Sequence, residues 1–142
     1  MITSARNQFS GEVTQATHGA VNDEITLRLA GGQEIVATVT SESATRLGLT
    51  AGKKAIALVK ASSVIVMVDV DVSKVSARNA VSGKVSELKK GAVNADVTIT
   101  DDSGLAISAI ITNSSVDRLG LAVGKPAAAV FKASSVIVGV GG

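Results

Sequence analysis

Apolar residues along this chain fall into short alternating runs rather than long helical stripes. Ile25, Leu27 and Leu29 alternate with Thr26 and Arg28, and Ile35, Ala37 and Val39 share one face of the next run. A period of two is that of a strand, so the pattern predicts strands over residues 7–17, 21–30 and 33–39. Gly31-Gly32 reads as a tight turn between the last two. At Thr40-Ser41-Glu42-Ser43 the period breaks into a cluster of N-capping residues, and Gly48 stands where a left-handed C-terminal cap falls. A short helix is predicted there, followed by fourth and fifth strands over 53–59 and 62–68.

The same order then recurs. Ser4-Ala5-Arg6-Asn7 returns as Ser76-Ala77-Arg78-Asn79, an offset of 72 (76 − 4) that holds without a gap to the closing stretch. Arg46-Leu47-Gly48-Leu49 recurs as Arg118-Leu119-Gly120-Leu121, and Lys60-Ala61-Ser62-Ser63-Val64-Ile65-Val66 as Lys132-Ala133-Ser134-Ser135-Val136-Ile137-Val138. Self-similarity at one fixed period predicts two like units, 1–70 and 71–142. Three strands, a helix and two strands in ~70 residues is the order of an OB-type barrel, so the expected fold is all-β: two tandem five-stranded OB-like barrels, each with one short helix. The stretch 69–74, short and free of Gly and Pro, is the expected linker and implies closely coupled barrels.

Strands four and five carry an excess of apolar residues. In Ala55-Ile56-Ala57-Leu58-Val59 and Val64-Ile65-Val66-Met67-Val68 both faces are apolar, although a small barrel needs only its inner face to be so. Either the other repeat covers the outside or the chain oligomerises.

Composition narrows the chemistry. The 142 residues include no Cys, Trp or Tyr and only Phe9 and Phe131, which removes disulfides and thiolate metal sites and leaves cores of Val, Ile, Leu and Ala. A net charge of +2 and two aromatics argue against a single-stranded nucleic-acid groove, which relies on stacking and clustered basic residues. No run approaches the ~20 apolar residues of a membrane span and the first 11 residues lack a signal-peptide core, so a cytoplasmic location is expected.

Duplication filters the polar residues. Ser4, Arg6, Asn7, Asn22, Thr26, Thr40, Ser43, Arg46, Lys53, Lys60, Ser62 and Ser63 all have identical counterparts 72 residues on, whereas no His or carboxylate does. Acid–base catalysis and metal ligation require those missing groups, so no enzymatic activity and no direct protein–metal bonds are expected. A set of cations and hydroxyls is instead the donor set of an anion receptor. Each residue also has a plainer reading: Thr40 and Ser43 as helix caps, Arg6 and Lys60 as surface charges, Ser62 and Ser63 as a turn, and Arg46 as a structural helix residue. Residues 48–54 mimic a phosphate loop but have the wrong spacing, while His18 and the Asp101-Asp102 pair have no counterpart and read as exposed loop residues.

Taken together, Ser-Ala-Arg-Asn, Gly-Ala-Val-Asn, Thr-x-x-Ser and Lys-Ala-Ser-Ser-Val, each present twice, resemble the Mop domain of molybdate-binding proteins, and two fused copies resemble the tandem molbindins. The resemblance covers nearly the whole chain. It implies binding of molybdate or tungstate as the intact oxyanion without a cofactor, in a homotrimer of six Mop units that stores intracellular molybdenum. The alternative is an oxyanion-sensing module acting on a partner protein. It also implies a main site between neighbouring units, using Ser4, Arg6, Lys60, Ala61 and Ser62 with Thr40 and Ser43, and in the second set Ser76, Arg78, Lys132, Ala133 and Ser134 with Thr112 and Ser115. A threefold-axis site is implied at Gly19, Ala20, Val21 and Asn22 and again at Gly91, Ala92, Val93 and Asn94.

Overall fold

The computed structural model describes residues 1–141. The first repeat runs β1 (Asn7–Thr17), β2 (Asn22–Leu29), β3 (Glu34–Thr40), α1 (Ser41–Leu47), β4 (Lys54–Val59) and β5 (Ile65–Met67). The second runs β6 (Asn79–Lys90), β7 (Asn94–Thr100), β8 (Ala106–Thr112), α2 (Asn113–Leu119), β9 (Pro126–Phe131) and β10 (Val136–Gly139). The expected elements are all present, and the fold is mostly β.

Alternation places the core as the sequence implies. Ile25, Leu27, Ile35 and Ala37 are at most 1% exposed, as are Val97, Ile99, Ile107 and Ala109 in the second repeat. β1 is bulged between Val13 and Gln15, and β6 between Val85 and Glu87. Near these bulges the chains approach so closely that a side chain at Gly11 would stand 2.6 Å from the Arg28 carbonyl oxygen, and one at Gly83 would stand 2.2 Å from that of Thr100. Only a residue without a Cβ fits there.

The fifth strand does not follow its own repeat. The two five-stranded sheets have the orders β10-β4-β1-β2-β3 and β5-β9-β6-β7-β8. Ile137 faces Leu58 on β4, and Ile65 faces Val130 on β9, so each repeat gives its last strand to the sheet of the other. The compact units are therefore divided otherwise than at the repeat boundary: the first joins Met1–Val59 to the segment from Lys132 onward, and the second is Lys60–Phe131. Residues 69–74 lie inside the second unit instead of linking the two, with Val72–Lys74 a 3-10 turn capped by the Asp71 carboxylate.

Local backbone explains why the last two strands of a repeat do not pair. Ala61–Ser63 is a 3-10 turn whose flanking residues Lys60 and Val64 are both extended, and Ala133–Ser135 repeats it. This turn carries the chain onward instead of folding it back in the tight hairpin that antiparallel neighbours require. Asn7 is 2% exposed and donates through Nδ2 to the Val59 carbonyl at 3.2 Å, anchoring the end of β4 where the chain leaves the first unit.

Candidate anion-binding site

Helix caps supply the first pair of hydroxyls. Thr40 caps α1: its Oγ1 accepts from the Ser43 backbone N–H at 3.1 Å and its hydroxyl donates to Ser43 Oγ at 2.8 Å. Thr112 and Ser115 repeat this on α2 at 3.1 and 2.9 Å. The capping reading thus holds for both pairs, yet Thr40 and Thr112 remain exposed and Ser43 and Ser115 half-buried, so the hydroxyls also face outward.

The Lys-Ala-Ser turns are positioned by their central residue. Ala61 and Ala133 are 5% and 8% exposed and act as pegs, leaving Lys60 with Ser62, and Lys132 with Ser134, exposed on either side. The Ala61–Ser63 turn packs on β8 and the Ala133–Ser135 turn on β3, the strands that end in Thr112 and Thr40. In the second unit this brings Ser62 of one repeat to a cavity of about 320 Å³ that it shares with Thr112, Ser115 and Arg118 of the other, over a floor of Val64, Ile65, Val66, Ile110, Ile111 and Leu119.

Two features differ from the sequence expectation. Strand exchange joins Ser62 to Thr112 and Ser115, and places the Ala133–Ser135 turn in the unit of Thr40 and Ser43, so each compact unit draws on both repeats. Arg118, the counterpart of Arg46, which reads as a structural helix residue, lines the cavity, with Nη2 3.5 Å from Ser115 Oγ. Spacing could have found it: position 118 lies three residues after 115, which makes the two neighbours on the helix surface. Ser76, Arg78, Lys60 and Ala61 do not line this cavity; Ser76, Arg78 and Lys60 are exposed, as are Ser4 and Arg6 just before β1.

The turns at residues 19–22 and 91–94 are exposed at their tips, with Val21 and Val93 at 72% and 69%. Beneath the first lies Asp23, 1% exposed. It accepts the Ser41 hydroxyl at 2.6 Å and the Gly19 N–H at 3.3 Å, and its other oxygen lies 2.7 Å from His18 Nδ1. The Ser41 hydroxyl is the main cause that holds the Asp23 carboxyl below its usual range, with His18 and Gly19 adding to it against the opposing effect of burial. His18 is therefore part of a buried-carboxylate network, which sequence reasoning missed because the residues are not repeated. In the second unit Lys90 turns instead to Asp117 at 2.6 Å, and Asn113 Nδ2 donates to the Gly91 carbonyl at 2.9 Å. Asp101 caps its hairpin by accepting from the N–H groups of Ser103 and Leu105, both at 2.9 Å, which accounts for the acidic tip without chemistry.

The TOBE domain family matches residues 3–66 and again 75–138. The chain belongs to the TOBE domain family. Both TOBE copies include most of their own fifth strand in sequence, although the sheets exchange it. Among relatives of this TOBE pair, molybdenum transport protein ModE of Herbaspirillum seropedicae is 46% identical over 140 residues, covering 99% of this chain and 52% of that protein. Molybdenum-pterin-binding protein MopA of Rhodobacter capsulatus is 43% identical over 97% of this chain and 52% of its own length. The DNA-binding transcriptional dual regulator ModE of Escherichia coli K12 is 32% identical over 96% and 51%. The chain thus spans about half the length of the curated relatives it matches. Among solved structures, the cytoplasmic molybdate-binding protein ModG, with molybdate bound, superposes with a TM-score of 0.92 at 46% identity, covering 99% of this chain and all of that one.

Proposed function

We propose that the chain binds molybdate or tungstate as the intact oxyanion and serves molybdenum storage and homeostasis in the cytoplasm, without a covalent step. The observation that supports this most is the cavity lined by Ser62, Thr112, Ser115 and Arg118, three hydroxyl residues and a guanidinium drawn from both repeats. Hydroxyls can donate to an oxyanion's lone pairs, and a guanidinium offsets its charge in a fork geometry. Arg6 or Arg78 and Lys60 or Lys132 are the further cations of this reading, with Ser4, Ser76 and Ser134 as further donors. These side chains lie exposed on one chain, as expected of a site completed by a neighbouring copy.

Assembly follows from the same reading. Ile65, Ile137, Val21 and Val93 are exposed at 54 to 72%, apolar surface that suits a self-association interface. We read the assembly as a homotrimer, with the turns at 19–22 and 91–94 at its axis as a second kind of anion site. The names of the ModE relatives favour a second reading, in which occupancy of the site is sensed by a partner protein or a further domain.

Native mass and calorimetric titration test the proposal together. The expected outcome is three times the 14.2 kDa of one chain, with uptake of molybdate and tungstate far tighter than of sulfate or phosphate. Sulfate has shorter bonds and leaves fixed donors out of reach, and phosphate carries a proton that would face donors only. A monomer at micromolar concentration, or sulfate bound as tightly as molybdate, would overturn it.

A further inference from the structure

We propose that Asp23 is a positioning residue for the oxyanion site of the first unit, acting through Ser41 on the helix cap formed by Thr40 and Ser43. The second unit does the same work with the uncharged Asn113. The inference rests on the anion-binding reading above.

Ser41 sits directly between the cap residue and the rest of the first helical turn. Its N–H donates to the Val21 carbonyl at 2.8 Å, and its hydroxyl reaches Asp23 Oδ1 at 2.6 Å, with the Gly19 carbonyl at 3.3 Å. Asp23 in turn accepts from Gly19 and meets His18, so one buried carboxylate ties the turn at residues 19–22 to the start of α1. Thr40 and Ser43, bonded to each other across the cap, flank Ser41 in that same helical turn.

In the second unit the backbone link is retained, with the Asn113 N–H donating to the Val93 carbonyl at 2.8 Å. The side-chain link is rebuilt. Ala95 stands in place of Asp23, and Asn113 reaches the Gly91 carbonyl directly at 2.9 Å, while the Gly91 N–H turns to the Asn94 carbonyl at 2.7 Å. The differences Asp23/Ala95 and Ser41/Asn113 go together: Ser41 gives Asp23 its shortest hydrogen bond, at 2.6 Å, whereas beside Ala95 the longer Asn113 side chain reaches past that position to the Gly91 carbonyl, its own Oδ1 buried and without a partner. Hydrogen bonds to a charged acceptor are roughly twice as strong as neutral ones, so the first unit's cap is tied by the firmer link.

The test is titration of the full chain with molybdate in two backgrounds. In one, Thr112→Ala with Ser115→Ala leaves the first unit's cap; in the other, Thr40→Ala with Ser43→Ala leaves the second unit's. Displacing a site by a fraction of an ångström costs binding steeply, so Asp23→Ala is expected to weaken molybdate about tenfold in the first background and by less than about twofold in the second. Adding Ser41→Asn to Asp23→Ala installs the second unit's link and is expected to recover most of the loss. The proposal is overturned if Asp23→Ala lowers thermal stability with affinity intact, if it weakens both backgrounds alike, or if the folded double variant recovers nothing. Should Asp23→Ala fail to fold, Ser41→Ala, which removes only the hydroxyl, carries the same expectations. A wild-type chain that takes up no molybdate overturns the anion-binding reading itself, whereas binding that is indifferent to Asp23 overturns only the positioning role.

Discussion

Asp23 and Arg118 show how single residues divide between scaffold and site. The Asp23 carboxyl is held below its usual range, so the folded state favours the ionised form more than the unfolded chain does. Stability from this group is therefore full above the ordinary carboxylate value and is lost as pH falls through the lower folded value. Denaturant unfolding followed from about pH 6 to about pH 3 is expected to show a steeper loss of stability in the wild type than in Asp23→Asn, and equal slopes would show that the network contributes nothing in acid. Arg118 presents the opposite case. It is exposed and its hydrogen bond to Ser115 is 3.5 Å long, so Arg118→Ala is expected to leave stability within about 0.5 kcal/mol. Because the guanidinium lines the cavity, molybdate affinity is expected to fall by about tenfold or more, as for loss of a charged donor. A drop in melting temperature with unchanged affinity would return Arg118 to a packing role.

At the level of elements, the pairing of β6 with β7 depends on a missing side chain. A Cβ at Gly83 would stand 2.2 Å from the Thr100 carbonyl oxygen and 2.6 Å from its carbon, atoms of a strand that cannot swing aside. Gly83→Ala is therefore expected to cost about 1–3 kcal/mol, measured by urea unfolding, by forcing the strands apart near the bulge. A neutral result would mean that the strand shifts freely. Period and punctuation made these elements legible: alternation marked β2 and β3, and Thr40 and Gly48 marked both ends of α1, where Gly48 has a φ of 65°. The fifth strand was overextended by the same reasoning. Its apolar run cannot show that residues 62 and 63 belong to a 3-10 turn and not to the strand, because two serines carry no period.

For the whole molecule the decisive feature is the exchange of β5 and β10. A chain cut to residues 1–70 keeps β4 paired to β1 but without β10 on its other edge, and retains β5 without the β9 it pairs with. An open apolar strand edge of this kind is unstable in water. Residues 1–70 alone are expected to be unfolded or to associate through mutual strand exchange, as read by circular dichroism and native mass. A folded monomer would show that β5 can close its own sheet. The excess of apolar residues on the fourth and fifth strands is covered only in part: Ala127, Ala128, Ala129, Val130 and Phe131 are all under 9% exposed, so β9 is buried on both faces, whereas Ile56 and Leu58 of β4 are half-buried and Ile65 and Ile137 of the fifth strands stay exposed.

What the sequence determined by itself is everything with a short-range physical cause: the strands, the helix caps, the turn glycines, and the donor-only set of repeated polar residues. Each depends on neighbours a few positions apart or on a pattern that duplication displays twice. The tertiary structure alone decided which sheet receives each final strand and which residues share a cavity. Val64-Ile65-Val66 and Val136-Ile137-Val138 are the same three residues, as are the Lys-Ala-Ser-Ser turns before them, so pairing within a repeat and pairing across repeats present the same side chains. The choice lies in the direction the turn gives the chain and in the packing it then meets. For the same reason Ser62 joins Thr112, Ser115 and Arg118, and Asp23 finds Ser41 18 residues away: such partners are set by register and sheet order, which local spacing does not record.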